Sequence, residues 1–303
     1  MHGGGHGTAA GKHANRLAWA FGLTSAYMIA EVIGGLITGS LALLADAAHM
    51  LTDAGGLALA LIAIRFAQRE ATPQRTYGYL RMEILSALAN AVVLLLLTVY
   101  ILYEAVQRFL APPEVMSGPM LIVASIGLVV NLISMRLLAG GSSESLNVKG
   151  AYFEVLSDML GSVGVIVAAL LMMWKGWTIA DPIIGAGIGL FIVPRTWNLL
   201  KQATHILMEG TPPEVDMAVL EKELAGIDGV IAVHDLHVWT ITSGCAALSC
   251  HLVVRDMGNN VAILREARRR MKESFHIDHV TIQIEDEALR AEEAVLHVST
   301  TRR

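Results

Sequence analysis

Ser40-Leu41-Ala42-Leu43-Leu44-Ala45-Asp46-Ala47-Ala48-His49-Met50-Leu51-Thr52-Asp53 is an apolar run broken by three ionisable residues. It continues to Phe66 and is one of six apolar stretches, near residues 17–38, 41–66, 84–108, 118–139, 151–173 and 178–199. Each approaches the ~20 residues that carry a helix across ~30 Å of hydrocarbon. Backbone groups cannot stay unpaired in lipid, so helices are the expected form. An acid inside such a span costs about 2.5–3.5 kcal/mol at the bilayer centre and calls for a partner.

The fifth stretch answers the second. It carries Glu154 and Asp158, four residues apart like His49 and Asp53, and that spacing puts each pair on one helical face. Two helices with two ligands each can build a four-coordinate N/O site of the kind zinc takes. Interhelical hydrogen bonds or ion pairs are the competing explanation. It fails on sign, because Asp53, Glu154 and Asp158 are acids and neither span has a Lys or Arg near them. Three clustered carboxylates call for a divalent cation or for protons. Asp46, one turn before His49, reads either as a group orienting the imidazole or as a packing residue. Glu31 in the first span either lines a pathway or bonds a neighbouring helix, and Asn131 reads as a helix–helix hydrogen bond.

Composition agrees with a membrane protein. Apolar residues make up 54% of the 303, charged residues only 16%, and mean hydropathy is +0.55, against about 25% charge in a soluble domain. A net charge of −5 excludes nucleic-acid binding as the main role, and two cysteines, Cys245 and Cys250, build no disulfide framework. Residues 1–207 carry 12 Lys/Arg and 11 Asp/Glu, residues 208–303 carry 10 and 16. Four parts follow: a His-bearing head (1–16, with His2, His6 and His13) that lacks the pattern of a signal peptide, a six-helix transmembrane domain (17–207), an acidic cytoplasmic domain (208–290) and a polar tail (291–303). Most Lys and Arg, including Arg65, Arg81, Arg136 and Arg195, fall on one set of connections and only Arg108 and Lys175 on the other, which predicts both termini in the cytoplasm. Gly35/Gly39 and Gly185/Gly189 are spaced for close helix approach. In the last third, a helix from Pro213 to Leu224, strands at 230–241 and 246–254, a helix at 260–274 and a strand at 279–285 give an α-β-β-α-β order, a ferredoxin-like α+β fold. Strand alternation would put His234 and His237 on opposite faces.

The run from Ser40 to Asp53 resembles the second-span signature of the cation diffusion facilitators. Tyr77-Gly78-Tyr79-Leu80-Arg81-Met82-Glu83, Asn147-Val148-Lys149-Gly150-Ala151-Tyr152, Ser157-Asp158-Met159-Leu160-Gly161-Ser162 and His234-Asp235-Leu236-His237-Val238-Trp239 are similar to further motifs of that family. The chain looks most like its bacterial cobalt–zinc–cadmium resistance exporters. The resemblance implies a homodimeric metal/proton antiporter of the bacterial inner membrane, not an enzyme, moving chiefly Zn2+ and also Co2+ or Cd2+ through a site of His49, Asp53, Glu154 and Asp158. Zinc members typically have His where this chain has Glu154, and the more oxygen-rich set leaves a preference for Mn2+ or Fe2+ open. The family's cytoplasmic metal site maps onto His234, His251 and Glu285. Gln283 stands where His is frequent, with His279 as a candidate substitute, and zinc is the expected regulatory ligand. Arg81 and Glu209 resemble the family's charge interlock. A membrane-tethered metal sensor without transport is the alternative. A metalloprotease would need a His-Glu-x-x-His helix, which is missing.

Overall fold

The computed structural model describes residues 14–67, 69–139, 146–242 and 244–291. Six long helices come first: α1 (Ala14–Thr38), α2 (Leu41–Ala67), α3 (Met82–Leu110), α4 (Ser117–Ala139), α5 (Leu146–Lys175) and α6 (Ala180–Leu207). They are followed by α7 (Met217–Ala225), β1 (Val230–Thr242), β2 (Cys245–Val254), α8 (Asn260–Phe275) and β3 (His279–Glu285). Five of the six long helices are long and apolar enough to cross a membrane. The other, α2, runs 27 residues and carries Asp46, His49 and Asp53. Two compact bodies form, Met1–Ala60 with Ala89–Leu200, and Leu61–Leu88 with Lys201–Arg303.

In the first body α4 packs against α1 and α5. Small side chains let the helices approach: Ala42, Ala124, Ala168, Ala169 and Ala180 interleave with Leu43, Met120 and Val165 in one fully or nearly fully buried cluster. Large apolar side chains face outward instead, among them Leu36, Leu96, Tyr100, Ile122, Trp174 and Phe191. A soluble protein would bury them; in lipid they are the solvent-facing surface. At Gly185 a Cβ would sit 3.2 Å from the backbone of Ala42, so this glycine permits a close helix contact, whereas Gly189 has ordinary clearance at 3.6 Å.

The hairpin between α1 and α2 turns at Gly39, whose φ of 72° is left-handed. The next residue, Ser40, caps α2 by accepting from Leu43 N at 3.1 Å. Asp181 of α6, with no exposed surface, completes that cap. It accepts from Ser40 Oγ at 2.5 Å, Leu41 N at 2.7 Å and Ala42 N at 3.2 Å. Arg108 of α3 lies 3.6 Å from Asp181 Oδ2, donates to the Gly39 carbonyl, and bonds Glu104 at 3.0 Å. One buried carboxylate thus ties α2, α3 and α6 to the hairpin. It satisfies N–H groups that a helix start leaves open and complements the helix dipole.

In the second body the three strands lie in the order β1-β2-β3, with β1 antiparallel and β3 parallel to β2. Leu220 and Leu224 of α7 and Ile263, Ala267 and Met271 of α8 bury against Val238, Leu248, Cys250 and Leu252 of the sheet. Both helices therefore cover one face, as the α-β-β-α-β order predicts. The expected start of α7 at Pro213 is too early. Asp216 is the cap, accepting from Ala218 N at 2.9 Å and Val219 N at 3.2 Å, and the Pro212–Val215 turn precedes it. The His-bearing head lies outside the described residues, as does most of the tail.

Replacing Asp181 with Ala leaves three donors at the start of α2 without their acceptor and removes one buried partner of Arg108, which keeps Glu104 and the Gly39 carbonyl. Breaking a buried pair of this kind costs about 3–5 kcal/mol. Thermal unfolding of the purified protein in detergent should show a large drop in Tm, with Asp181→Asn intermediate; an unchanged Tm for Asp181→Ala would remove the clamp from the fold's supports.

Candidate metal centres

The helices α2 and α5 carry the ligands read from sequence. His49 is 8% exposed and Asp158 5%, while Glu154 is half-buried. The side chain of Asp53 lies outside what the structure describes. Thr52, between the two α2 ligands, donates to the His49 carbonyl at 2.8 Å. Glu154 of α5 and Arg195 of α6 lie within electrostatic reach of the His49 imidazole. Arg195 corrects the sequence reading, which counted it among the charges of a connection. It sits inside α6, one residue after Pro194.

Asp46 turns to a different neighbourhood. Its carboxyl lies against Gly161 of α5, where any side chain would collide with it. Tyr27 donates its hydroxyl to Glu31 at 2.9 Å. Asn131 of α4 donates to Ser162 of α5 at 3.4 Å, the interhelical bond expected of it.

The second body holds the other cluster. His234, His251 and Glu285 each offer a ligand atom, and these atoms lie within 4.8 Å of one another. Glu285, fully buried, approaches His251 Nδ1 with one oxygen at 2.6 Å and His234 Nε2 with the other at 3.1 Å. The two imidazoles stand edge to face with centroids 5.0 Å apart. Tetrahedral zinc with bonds near ~2.0–2.2 Å needs donors about 3.3–3.6 Å apart, so small side-chain adjustments admit an ion. The register explains the meeting. His234 pairs with His251, His251 with Gln283 and Val253 with Glu285, and all three ligands fall on the sheet face opposite α7 and α8. Gln283, where a His was considered, donates its amide to Glu285 at 2.8 Å and so holds the carboxylate rather than adding a nitrogen.

Two sequence expectations change here. The alternation rule fails between His234 and His237, because three residues of β1 oppose two of β2, from His234↔His251 to His237↔Ser249. The bulge centres on Asp235, whose φ of 48° is left-handed. One extra residue reverses the alternation, so His237 joins His234 on the same face. Asp235 spans the gap, 2.9 Å from His237 and 3.7 Å from His251. His279, the proposed substitute, is not in the cluster. It begins β3, four residues before Gln283, and lies edge-on to Tyr77 at 6.2 Å. Cys250, beside His251 in sequence, points into the hydrophobic core on the face away from the cluster, where burial pushes its thiol up to about 12. The expected Arg81–Glu209 pair is present at 3.1 Å, with both side chains more than a third exposed, and such a pair contributes little stability by itself.

A multi-pass bundle with buried acids and imidazole, joined to a small α+β domain with a His/His/Glu cluster, defines a membrane protein that handles divalent metals. The chain belongs to the cation efflux family, the cation diffusion facilitators. The cation efflux transmembrane domain matches residues 17–208 and the cation efflux protein cytoplasmic domain residues 212–287. It is 48% identical over 293 residues to the metal cation efflux system protein CzcD of Cupriavidus metallidurans, covering 96% of this chain and 92% of that one. It is 44% identical over 297 residues to the cadmium, cobalt and zinc/H(+)-K(+) antiporter of Bacillus subtilis, covering 96% and 95%. Identity to the zinc transporter ZitB of Escherichia coli is 42% over 275 residues, covering 90% and 88%. The solved metal-bound C-terminal domain of the CzcD transporter from Cupriavidus metallidurans is 41% identical over 23% of this chain and 99% of its own length, with a TM-score of 0.22.

Zinc titration of the purified protein should resolve a cytoplasmic site that depends on these residues. Changing even a residue that only supports a metal ligand costs ~10–100-fold in affinity, so His251→Ala should weaken that site by at least this much. Equal zinc binding by wild type and His251→Ala would show that the cluster holds no metal.

Proposed function

We propose that the chain exports divalent cations, chiefly Zn2+ and with it Co2+ and Cd2+, across the cytoplasmic membrane in exchange for protons. His49 and Asp158, buried on facing helices with Glu154 and Arg195 close by, carry this reading. Asp53 completes the ligand set by its position one turn beyond His49. With the imidazole neutral, the three carboxylates bear three negative charges, a surplus of acid that supports a site built for M2+. Metal needs neutral imidazole and ionised carboxylates, so protons compete with it for the same atoms. An unperturbed imidazole titrates near ~6.5, in the range where that exchange is useful. On the outward side protons displace the metal; on the inward side metal displaces the protons.

The protein works as a homodimer with both termini in the cytoplasm of the cell's inner membrane. Residues 208–290 act as its sensing and dimerisation domain, with Zn2+ at His234, His251 and Glu285 as regulatory ligand. Binding there draws two acidic domains together, each at net −6 from 10 basic and 16 acidic residues, and shifts the population towards transport-competent dimers. Arg81–Glu209 links the segment before α3 to the end of α6 as that shift occurs. One observation favours a second reading. Glu154 makes the ligand set harder than a two-imidazole site, which would widen the cargo towards Mn2+ and Fe2+. A sensor without transport would leave the intramembrane acids idle.

Proteoliposomes with an imposed pH gradient test the antiport. Zinc flux should follow the gradient and fall to background in Asp158→Asn; flux indifferent to the gradient would exclude proton coupling. In a panel of divalent ions, Glu154→His should narrow transport towards zinc, and an unaltered panel would show that this position does not set hardness.

A further inference from the structure

In the second body, the connection between α2 and α3 and the strand β1 line one cavity of about 690 Å³. Its charged walls are Arg75 and Arg81 from that connection and Glu209 from just beyond α6, with His237 of β1 besides. With the imidazole neutral, two arginines against one glutamate leave +1. Residues 208–303 as a whole carry 10 basic and 16 acidic residues, or −6, so the cavity inverts the sign of the domain it adjoins. The two arginines are held differently. Arg81 pairs with Glu209 at 3.1 Å. Arg75 has no carboxylate partner among the described residues; its guanidinium stacks 4.6 Å from the centre of the Tyr79 ring. Tyr79 lies 6.1 Å from Phe66 at the end of α2, and Arg69 stacks on Phe66 at 4.3 Å. A tight turn fixes the backbone beneath, with Arg75 N donating to the Thr72 carbonyl at 2.9 Å and Thr72 N to the Arg75 carbonyl at 3.2 Å. Stacking engages the flat face of a guanidinium and leaves its N–H fork, which fits a phosphate bidentately, for another partner.

We propose that this cavity binds the headgroup of an anionic phospholipid, with Arg75 donating to the phosphate. Its walls are built where the chain leaves the apolar helices: residues 74–81 lead into α3 at Met82, and Glu209 and Thr211 follow the end of α6 at Leu207. That is headgroup level, where basic pockets take anionic lipid. Tyr77 and Trp239, of the ring types enriched where a bilayer meets water, line the same space. Thr76, Thr211 and Ser249 add hydroxyl groups suited to a glycerol headgroup. Phosphatidylglycerol carries one negative charge and balances the surplus; the choline of phosphatidylcholine cancels that match. The bound lipid joins the α2–α3 connection to β1, the strand that carries His234.

The full-length protein in detergent, titrated with phosphatidylglycerol, phosphatidylcholine or inorganic phosphate and followed by native mass spectrometry, tests this. One phosphatidylglycerol per chain should bind more tightly than phosphatidylcholine. Arg75 is exposed, and Arg75→Ala should weaken the site about tenfold or more, the worth of a hydrogen bond to a charged group. Arg75→Lys, with the charge but not the fork, should fall between. Arg69→Ala removes the same charge from the same connection outside the cavity and should leave the site intact. Unchanged affinity in Arg75→Ala overturns the proposal, and so do equal losses in Arg69→Ala and Arg75→Ala, which mark diffuse attraction to a basic surface. Inorganic phosphate binding as tightly as the lipid would assign the cavity to a free anion instead. If Arg75→Ala is unstable, hydrogen exchange on the wild type decides: phosphatidylglycerol that slows no amide in residues 72–81 or β1 overturns the proposal equally.

Discussion

Burying a carboxylate among lipid-spanning helices is unfavourable unless something cancels its charge, and the arrangement of the first body follows from how each acid meets that demand. Asp181 is cancelled permanently, by Arg108 and by three donors at the start of α2. Its role is architectural, because nothing about it needs to change during a cycle. Glu31 and Asp46 are buried with no Lys or Arg hydrogen-bonded to them among the described residues, and Glu31 accepts from the Tyr27 hydroxyl. The ligands proposed around His49 have Arg195 within electrostatic reach and still hold an excess of acid. The three solutions form a series from fixed to exchangeable. Position in that series, more than burial itself, separates residues that hold the bundle from residues that can cycle.

The second body meets the same problem in water. Glu285 is fully buried yet sits on the sheet face away from the helices, between two imidazoles. Gln283 donates an amide to it and so keeps the carboxylate oriented. The bulge at Asp235 then widens the ligand-bearing patch, since it moves His237 onto that face and sets an acid between His237 and His251. A left-handed backbone at a residue other than Gly is uncommon. Here its local consequence is that imidazoles three apart in a strand share a face.

How much of this was legible beforehand depended on whether the physics is periodic. Span positions were readable because apolar runs have a length set by the bilayer, and the burial of His49 on α2 and Asp158 on α5 agrees with ionisable residues placed inside two spans. The ligand face of β2 and β3 was readable too, because His251 and Glu285 obey alternation. Asp181 and Arg108 escaped notice, because an acid or base at a span end looks like an ordinary headgroup-level charge until the helix it caps is known. Arg195 was hidden by the same rule, counted as a topology marker although α6 continues to Leu207. The bulge had no Gly or Pro to mark it, and Pro212-Pro213 suggested an earlier helix start than the cap at Asp216 allows.

The two proposed metal centres differ in softness, and the difference bears on selectivity. The intramembrane set has one imidazole and three carboxylates; the cytoplasmic cluster has two imidazoles and one carboxylate. Nitrogen-rich sites favour zinc and cobalt over manganese, while oxygen-rich sites discriminate less against hard ions. On the proposed reading, the pathway tolerates a wider range of cations than the sensor answers to. Selectivity then does not have to reside where the cargo passes. A domain that brings two copies together only when a nitrogen-loving ion is present restricts export to conditions in which such an ion has accumulated, even though the pathway itself admits others. This division would explain how a glutamate can stand at 154, where an imidazole would sharpen the pathway, without export running on metals the cell needs to keep.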